Sequence, residues 1–172
     1  MERGIRDLFI EELYDSFSSE RQIVEALPEL IAAADSADLR EAFESHLKET
    51  KEQVQRLENI FNLLKVEKKE KFCKGTKGLI EECKQVLEEF KTKSPIRDAA
   101  LISKAQRIEH YEISAYGTSR TFAKELDLDD DIVDLLDDSL AEEKAADKAL
   151  TKIAEGGLLR SGINHLANTS KR

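Results

Sequence analysis

The sequence contains only two prolines and only seven glycines, so residues that interrupt or end helices are scarce. It also contains no tryptophan. In their place it uses Ala, Leu, Glu and Lys heavily, and these residues have high helix propensity. The composition therefore predicts an all-α protein. Its length of 172 residues suits one domain with a full hydrophobic core.

Long apolar runs and excess positive charge are also missing. No stretch approaches the roughly 20 apolar residues of a membrane span, and the N-terminus lacks an apolar signal core. The net charge of -9 argues against nucleic acid and anionic membranes as partners. Cys73 and Cys83 do not form a close-spaced metal or redox motif, so reduced thiols and a cytoplasmic location are expected.

Apolar residues spaced by threes and fours divide the chain into four long helices. The second and third are separated by a long crossover that contains a short amphipathic helix, which lets the third begin at the far end of a bundle. The four helices are predicted at about residues 5–34, 37–65, 95–126 and 130–154.

Helix starts and stops agree with this division. Ser94-Pro95 predicts an N-cap followed by proline at the first helical position, and Asp35 or Ser36 is the expected N-cap of the second helix. Two glycines stop the fourth helix. We therefore expect a bundle over residues 1–155 and a basic, loosely ordered tail over residues 156–172.

Acidic residues interrupt the apolar seams near mid-helix. Glu109 and Glu112 lie three residues apart on the third helix and point the same way as its seam. Glu20 is the polar member of the first seam, and Glu143 and Asp147 lie on the fourth. Buried carboxylates are costly unless they are protonated, paired or metal-bound, so these positions call for an explanation.

The second helix contributes His46 and Gln53 on one flank of its seam, with Glu49 just outside it. Glu20 lies 15 residues before Asp35 and Glu49 lies 14 after it, so each is roughly 21 to 23 Å from the first turn. The acids of the other two helices are also near mid-length. All of them should therefore meet at one level of the bundle, whichever way the crossover orients the second pair.

This arrangement predicts a carboxylate-rich site for two divalent metal ions. Oxygen-rich sites with few imidazoles favour iron or manganese, with magnesium as a further alternative. The competing interpretation is that the polar seam residues only set the register of the helices. The candidate ligands are Glu20, Glu49, Glu109, Glu112, Glu143 and Asp147, with His46 and Gln53 as further ligands or as side chains that hold the ligands in place.

Several motifs together resemble the YciE/YciF-type bacterial stress proteins, and the likeness runs in order over about residues 5 to 155. They include Asp7-Leu8-Phe9, Ala26-Leu27-Pro28-Glu29-Leu30, Ser45-His46-Leu47-Lys48-Glu49-Thr50, Gly78-Leu79-Ile80-Glu81-Glu82, Arg97-Asp98-Ala99-Ala100-Leu101-Ile102, Glu109-His110-Tyr111-Glu112-Ile113 and Glu142-Glu143-Lys144. The family is ferritin-like and similar in outline to rubrerythrin. The resemblance implies a dinuclear metal site, a cytoplasmic stress-associated role and a homodimer.

By the same resemblance, Glu20 and Glu49 match the ligands of the first two helices, Glu109 and Glu112 the third-helix pair, and Glu143 the fourth-helix ligand. The Glu-x-x-His motif of the wider ferritin-like group is absent from this sequence. Two function classes remain. One is a metal protein that oxidises iron or destroys peroxide, with oxygen or peroxide as its small oxidant. The other is a non-enzymatic structural or interaction protein with an empty or residual site.

Overall fold

Four long helices and a shorter crossover helix make up most of the protein in the computed structural model, which describes residues 3–69, 71–157 and 160–169. The prediction of an all-α bundle with a crossover helix is confirmed. Among the described residues, none of the helices has the length and apolar character that a membrane crossing requires. The helices are α1 Ile5–Ala33, α2 Ala37–Leu64, α3 Lys74–Glu89, α4 Pro95–Glu125, α5 Asp130–Glu155 and α6 Ile163–Thr169.

The long helices pack as two hairpins, α1 with α2 and α4 with α5, while α2 also contacts α5 and α1 contacts α4. Helix α3 lies against α4 and α1. The apolar core falls into two clusters. One contains Leu39 and Phe43 near the α1–α2 turn, and the other contains Leu13, Phe61 and Leu136 towards the opposite end. A band of buried polar side chains separates them.

The α1–α2 turn is joined to the start of α4 by two adjacent charged residues. The guanidinium of Arg97 donates to the carbonyl oxygen of Ala33, at the end of α1. The carboxylate of Asp98 accepts from the backbone N–H groups of Asp35 at 3.0 Å and Ser36 at 2.7 Å. Ser36 holds the expected N-cap position of α2 but its side chain makes no capping bond. Asp98 of α4 thus holds the backbone of the turn just before α2 begins.

The buried face of α1 turns along the helix. Val24 and Ile31 continue the spacing by threes and fours that begins at Leu13, and at about 100° per residue they lie within about 20° of it around the axis. Both are nevertheless half-buried, whereas Ile23 and Leu30 are buried. Ile23 and Leu30 pack in the same apolar cluster as the buried residues of α3, so the buried face follows α3.

Beyond α5 the chain continues into an antiparallel pairing of Gly156–Gly157 (β1) with Arg160–Ser161 (β2), followed by α6. Helix α6 packs on α4 and buries Ile163 and Ala167. These are regular elements within the stretch that we expected to be a loosely ordered tail. Residues 158, 159 and 170–172 of that tail lie outside the described residues, and the division of the chain at residue 155 stays a prediction.

Candidate metal centre

A buried polar cluster lies at mid-length in the bundle, between the two apolar core clusters. His46, Glu109, Glu112 and Glu143 each offer a ligand atom, and these atoms lie within 4.8 Å of one another. All four side chains belong to residues that are at most 5% exposed. Ligand atoms that lie this close together, on residues this buried, could hold a metal ion.

Each of the four long helices brings at least one buried polar side chain to this level. Helix α1 contributes Glu20, which is fully buried, and α2 contributes His46 and Gln53. Glu109 and Glu112 come from α4 and Glu143 from α5. The structure thus brings together six of the eight residues that the sequence analysis singled out.

Glu49 and Asp147 lie further out. Glu49 is half-buried, with one carboxylate oxygen 3.9 Å from His46 Nδ1. Asp147 turns away: its Oδ1 accepts from Gln106 Nε2 at 2.9 Å and lies 3.4 Å from His110 Nε2. At about 100° per residue, Asp147 lies about 40° around α5 from Glu143, which explains its place at the edge. The ligand roles of both acids stay predictions.

The contacts within the cluster are made mainly by nitrogen and hydroxyl donors on carboxylates. His46 Nε2 lies 3.4 Å from Glu109 Oε2, and Gln53 donates from Nε2 to Glu143. Ser19 Oγ donates to Glu112 Oε1 at 3.2 Å. The bonds to Glu112 and Glu143 use Oε1 and leave Oε2 without a partner in the described part of the chain, whereas the approach of His46 to Glu109 Oε2 is not a hydrogen bond.

The protonation of the metal-free cluster follows from its burial. Burial, and next the charge of Glu143, raises the pKa of Glu20 well above its ordinary value. Burial likewise raises the pKa values of Glu109 and Glu112. For His46, burial favours the neutral ring, but Glu109 and the other nearby carboxylates outweigh it and raise the pKa to about 10. Without metal, the cluster therefore retains protons that compensate its negative charge.

The residues fit a metal because the side-chain oxygens and nitrogens that lack a hydrogen-bond partner are of the kinds that bind metal ions. Several buried donor atoms have no hydrogen-bond partner among the described residues, and such atoms are costly in a folded protein. A divalent cation would satisfy them and replace the retained protons. The unpartnered atoms are Glu20 Oε2, Glu109 Oε2, Glu112 Oε2, Glu143 Oε2, Gln53 Oε1 and both ring nitrogens of His46.

Two further supports of the cluster escape sequence reasoning. The hydroxyl of Tyr116, whose pKa is raised well above its ordinary value mainly by burial, donates to Glu20. Ser19 also contacts Thr76 of α3, with 2.6 Å between the two hydroxyl oxygens. Neither Ser19 nor Thr76 carries any sequence signal. These contacts depend on how α4 and α3 dock against α1.

A third support lies at the α2–α5 contact. Arg56 makes a bidentate ion pair with Glu142, at 2.5 Å and 2.6 Å, and Glu142 also accepts from Gln53 Nε2 at 3.0 Å. Gln53 is thereby held where it reaches Glu143. Arg56 lies three residues after Gln53 on the same helix face, a spacing that could have revealed the pair.

A four-helix bundle that buries carboxylates from several helices at mid-length belongs to the ferritin-like class. Comparison with known proteins agrees. A family model described as Domain of unknown function (DUF892) matches residues 4–162. The chain therefore belongs to this family, which includes YciF, and the resemblance noted in the sequence is confirmed.

Individual relatives support the same assignment. Protein YciF of Escherichia coli (strain K12) is 41% identical over 163 residues, covering 94% of this chain and 97% of the relative. The crystal structure of the E. coli stress protein YciF has a TM-score of 0.83 at 40% identity, over 88% of this chain and 94% of that one. YcfI of Rhodopseudomonas palustris, named as a candidate structural protein, has a TM-score of 0.84 at 39% identity, over 88% and 96%.

Proposed function

We propose that this protein binds two divalent metal ions, iron in preference to manganese, and uses them to oxidise iron or to reduce a peroxide. The observation that carries the proposal is the set of unpartnered, buried carboxylate oxygens around His46 at mid-bundle. Oxygen-rich donor sets with one imidazole favour iron and manganese over zinc or copper. The family relationship to a protein described as a stress protein agrees with a protective role.

The proposed ligands come from all four long helices. Glu109, Glu112 and Glu143 come from the adjacent helices α4 and α5, and each would supply a carboxylate ligand. Glu20 from α1 and His46 from α2 would complete the set, with Glu49 reaching in from the edge. Asp147 is left out of this set because Gln106 and His110 hold it outside the cluster.

Bound iron would supply the electrons and the Lewis acidity for the reaction. The chain's own residues do the rest. Tyr116 fixes Glu20 through its hydroxyl, and Ser19 fixes Glu112, which leaves the second oxygen of each carboxylate available as a metal ligand. Gln53 orients Glu143 in the same way. The apolar clusters above and below the site would limit the access of bulk water to bound metal from those two sides.

A second candidate function is a stress-related structural protein in which the cluster stays metal-free. The name of the R. palustris relative favours it. So does the contact between His46 and Glu109 at 3.4 Å, because a protonated imidazole beside a carboxylate partly neutralises the cluster without metal. In that case the polar band would serve to fix the register of the helices.

Metal content separates the two functions. We would express the protein in iron- and manganese-supplemented medium, purify it in air, and measure metals per chain. The dimetal proposal expects close to two ions for wild type and less than about one for Glu109→Gln, because an amide is a poor replacement for a carboxylate ligand. Glu44→Gln, on the exposed face of α2, is the matched control and should bind as wild type does. Metal-free wild type would refute the proposal and favour the structural alternative.

A further inference from the structure

A pocket opens between α2 and α5 and ends at the buried polar cluster. Its volume is about 210 Å³, and its inner end is formed by His46 and Glu109, whose side chains are 6% and 4% exposed. Glu49, with 36% of its side chain exposed, lies nearer the surface. The pocket thus leads from solvent to buried donor atoms that have no hydrogen-bond partner among the described residues.

The walls of this pocket are mostly apolar although its inner end is polar. Phe43 and Ala42 form most of the α2 side, with the polar side chain of Ser45 beside them, and the α5 side contains three alanines and a leucine, with two of the alanines exposed to solvent. Larger side chains at these alanines would fill the space. The α5 residues are Ala145, Ala146, Ala149 and Leu150.

Elsewhere around the cluster, polar contacts occupy several approaches, and the apolar cavity that reaches His46 and Glu109 past Ile23 and Ile80 has a volume of only about 20 Å³. Tyr116 covers Glu20, and the pair of Ser19 and Thr76 covers Glu112. On the far side of Gln53, the ion pair of Arg56 with Glu142 closes the α2–α5 contact. A small molecule therefore meets the least obstruction through the pocket.

We infer that this pocket binds a short alkyl hydroperoxide, with its alkyl group against the alanines and its hydroperoxide group towards His46 and Glu109. The inference rests on the proposed function and names the substrate of the same site. An apolar body gains from leaving water at about 25 cal/mol per Å² of buried area. Hydrogen peroxide has no such body and gains nothing from these walls.

The volume and the charge of the pocket narrow the choice of ligand further. The pocket holds about as much as seven liquid waters at roughly 30 Å³ each, enough for a short branched alkyl chain but not for a fatty acyl chain. The negative charge of Glu49 at the outer part of the pocket disfavours carboxylates and other anions. A neutral oxidant with one polar end meets both conditions.

The reaction balances with the proposed centre. Reduction of ROOH breaks its O–O bond and takes two electrons and two protons, giving ROH and water. Two ferrous ions held by the proposed ligands would supply the electrons and become ferric, and solvent would supply the protons. The pocket's part is to place the peroxide oxygen at the cluster and to select R by its size.

Binding can be tested on metal-free protein with tert-butanol as the unreactive probe and ¹³C-methyl alanine spectra as the readout. The inference expects saturable shifts of the methyl signals of Ala42, Ala145, Ala146 and Ala149, and their loss in Ala145→Leu. Ala141→Leu, an exposed position one turn before Ala145 that does not line the pocket, is the matched control and should leave the shifts unchanged. No saturable shift at these methyls would overturn the inference.

Kinetics then test selectivity. We would load the protein with ferrous iron without oxygen and follow ferric absorbance after mixing with tert-butyl hydroperoxide or with hydrogen peroxide. Ala149→Leu should slow the alkyl hydroperoxide by about tenfold or more and hydrogen peroxide by less than about twofold, with Ala141→Leu unchanged. Circular dichroism checks folding, and Ala145→Leu serves as a second variant.

The two proposals fail differently. Equal slowing of both oxidants, or no slowing of either, would overturn the pocket inference while leaving a metal-loaded protein and its proposed function intact. A wild type that binds no iron would overturn the proposed function alone, because the methyl titration uses metal-free protein and still decides whether the pocket binds the probe.

Discussion

Replacing Glu112 by leucine should reverse the order of stability between wild type and variant when metal is removed. Glu112 is 2% exposed, and its Oε2 has no hydrogen-bond partner among the described residues. Leucine has a similar size and no polar atom to bury. In metal-free protein the change therefore removes a penalty of about 1–3 kcal/mol for an unsatisfied buried polar group. Ser19 loses its bond to Glu112 but keeps Thr76, at 2.6 Å, as its partner.

For a chain of this size, 1 kcal/mol corresponds to about 2–4 °C in melting temperature. Metal-free Glu112→Leu should therefore melt about 2–12 °C above metal-free wild type. With metal at 100 times its dissociation constant, wild type gains about 2.7 kcal/mol per site, or about 5–11 °C. The variant lacks a ligand and should gain much less.

Differential scanning calorimetry of both proteins, with metal and after chelation, measures the four melting temperatures. Glu125→Leu, on an exposed position of α4, is the matched control and should stay within about 0.5 kcal/mol of wild type in both conditions. If chelator does not change the melting temperature of wild type, and Glu112→Leu melts above wild type both with metal and after chelation, the proposal of a dimetal site is wrong. If Glu112→Leu is destabilised without metal, the account of an unsatisfied carboxylate fails.

Three further predictions follow. The free energy of unfolding of metal-free protein should fall from pH 5 to pH 9, because the raised pKa values of Glu112 and His46 mean that the folded state holds protons that the unfolded state releases. Chemical denaturation at several pH values measures this fall, which should disappear after metal loading. Asp98→Ala should cost about 1–2 kcal/mol in urea unfolding because Asp35 N–H and Ser36 N–H lose their acceptor, and Asp130→Ala, at the exposed start of α5, serves as a comparison. We also predict a homodimer, and a single monomer boundary in sedimentation velocity at micromolar concentration would contradict it.

The sequence predicted those parts of the molecule that local periodicity controls. Glu20, Glu112 and Glu143 each replace an apolar residue in a regular seam, and burial follows from the seam itself. Counting residues from the turns was enough to place these acids at one level, because a helix has a nearly constant rise. This is why helix bounds and most of the cluster could be read without a structure.

Contacts between distant elements could not be read in this way. The bond from Tyr116 to Glu20 depends on the rotation of α4 against α1, and Thr76 reaches Ser19 only because α3 docks there. Asp147 shows the limit of the seam itself. A displacement of about 40° around α5 is too small to see in apolar spacing, yet it moves a carboxylate from the cluster to the surface.

The joint of Arg97 and Asp98 with the α1–α2 turn has a consequence for the cluster, although the joint lies at the end of the bundle. It fixes the position of α4 along its own axis relative to α1 and α2. Sliding one hairpin by a single turn would displace its side chains by about 5.4 Å. That is more than the 4.8 Å that spans the ligand atoms of His46, Glu109, Glu112 and Glu143. The joint thus prevents α4 from sliding along its axis. Weakening the joint should lower the affinity for metal even though no ligand residue is substituted.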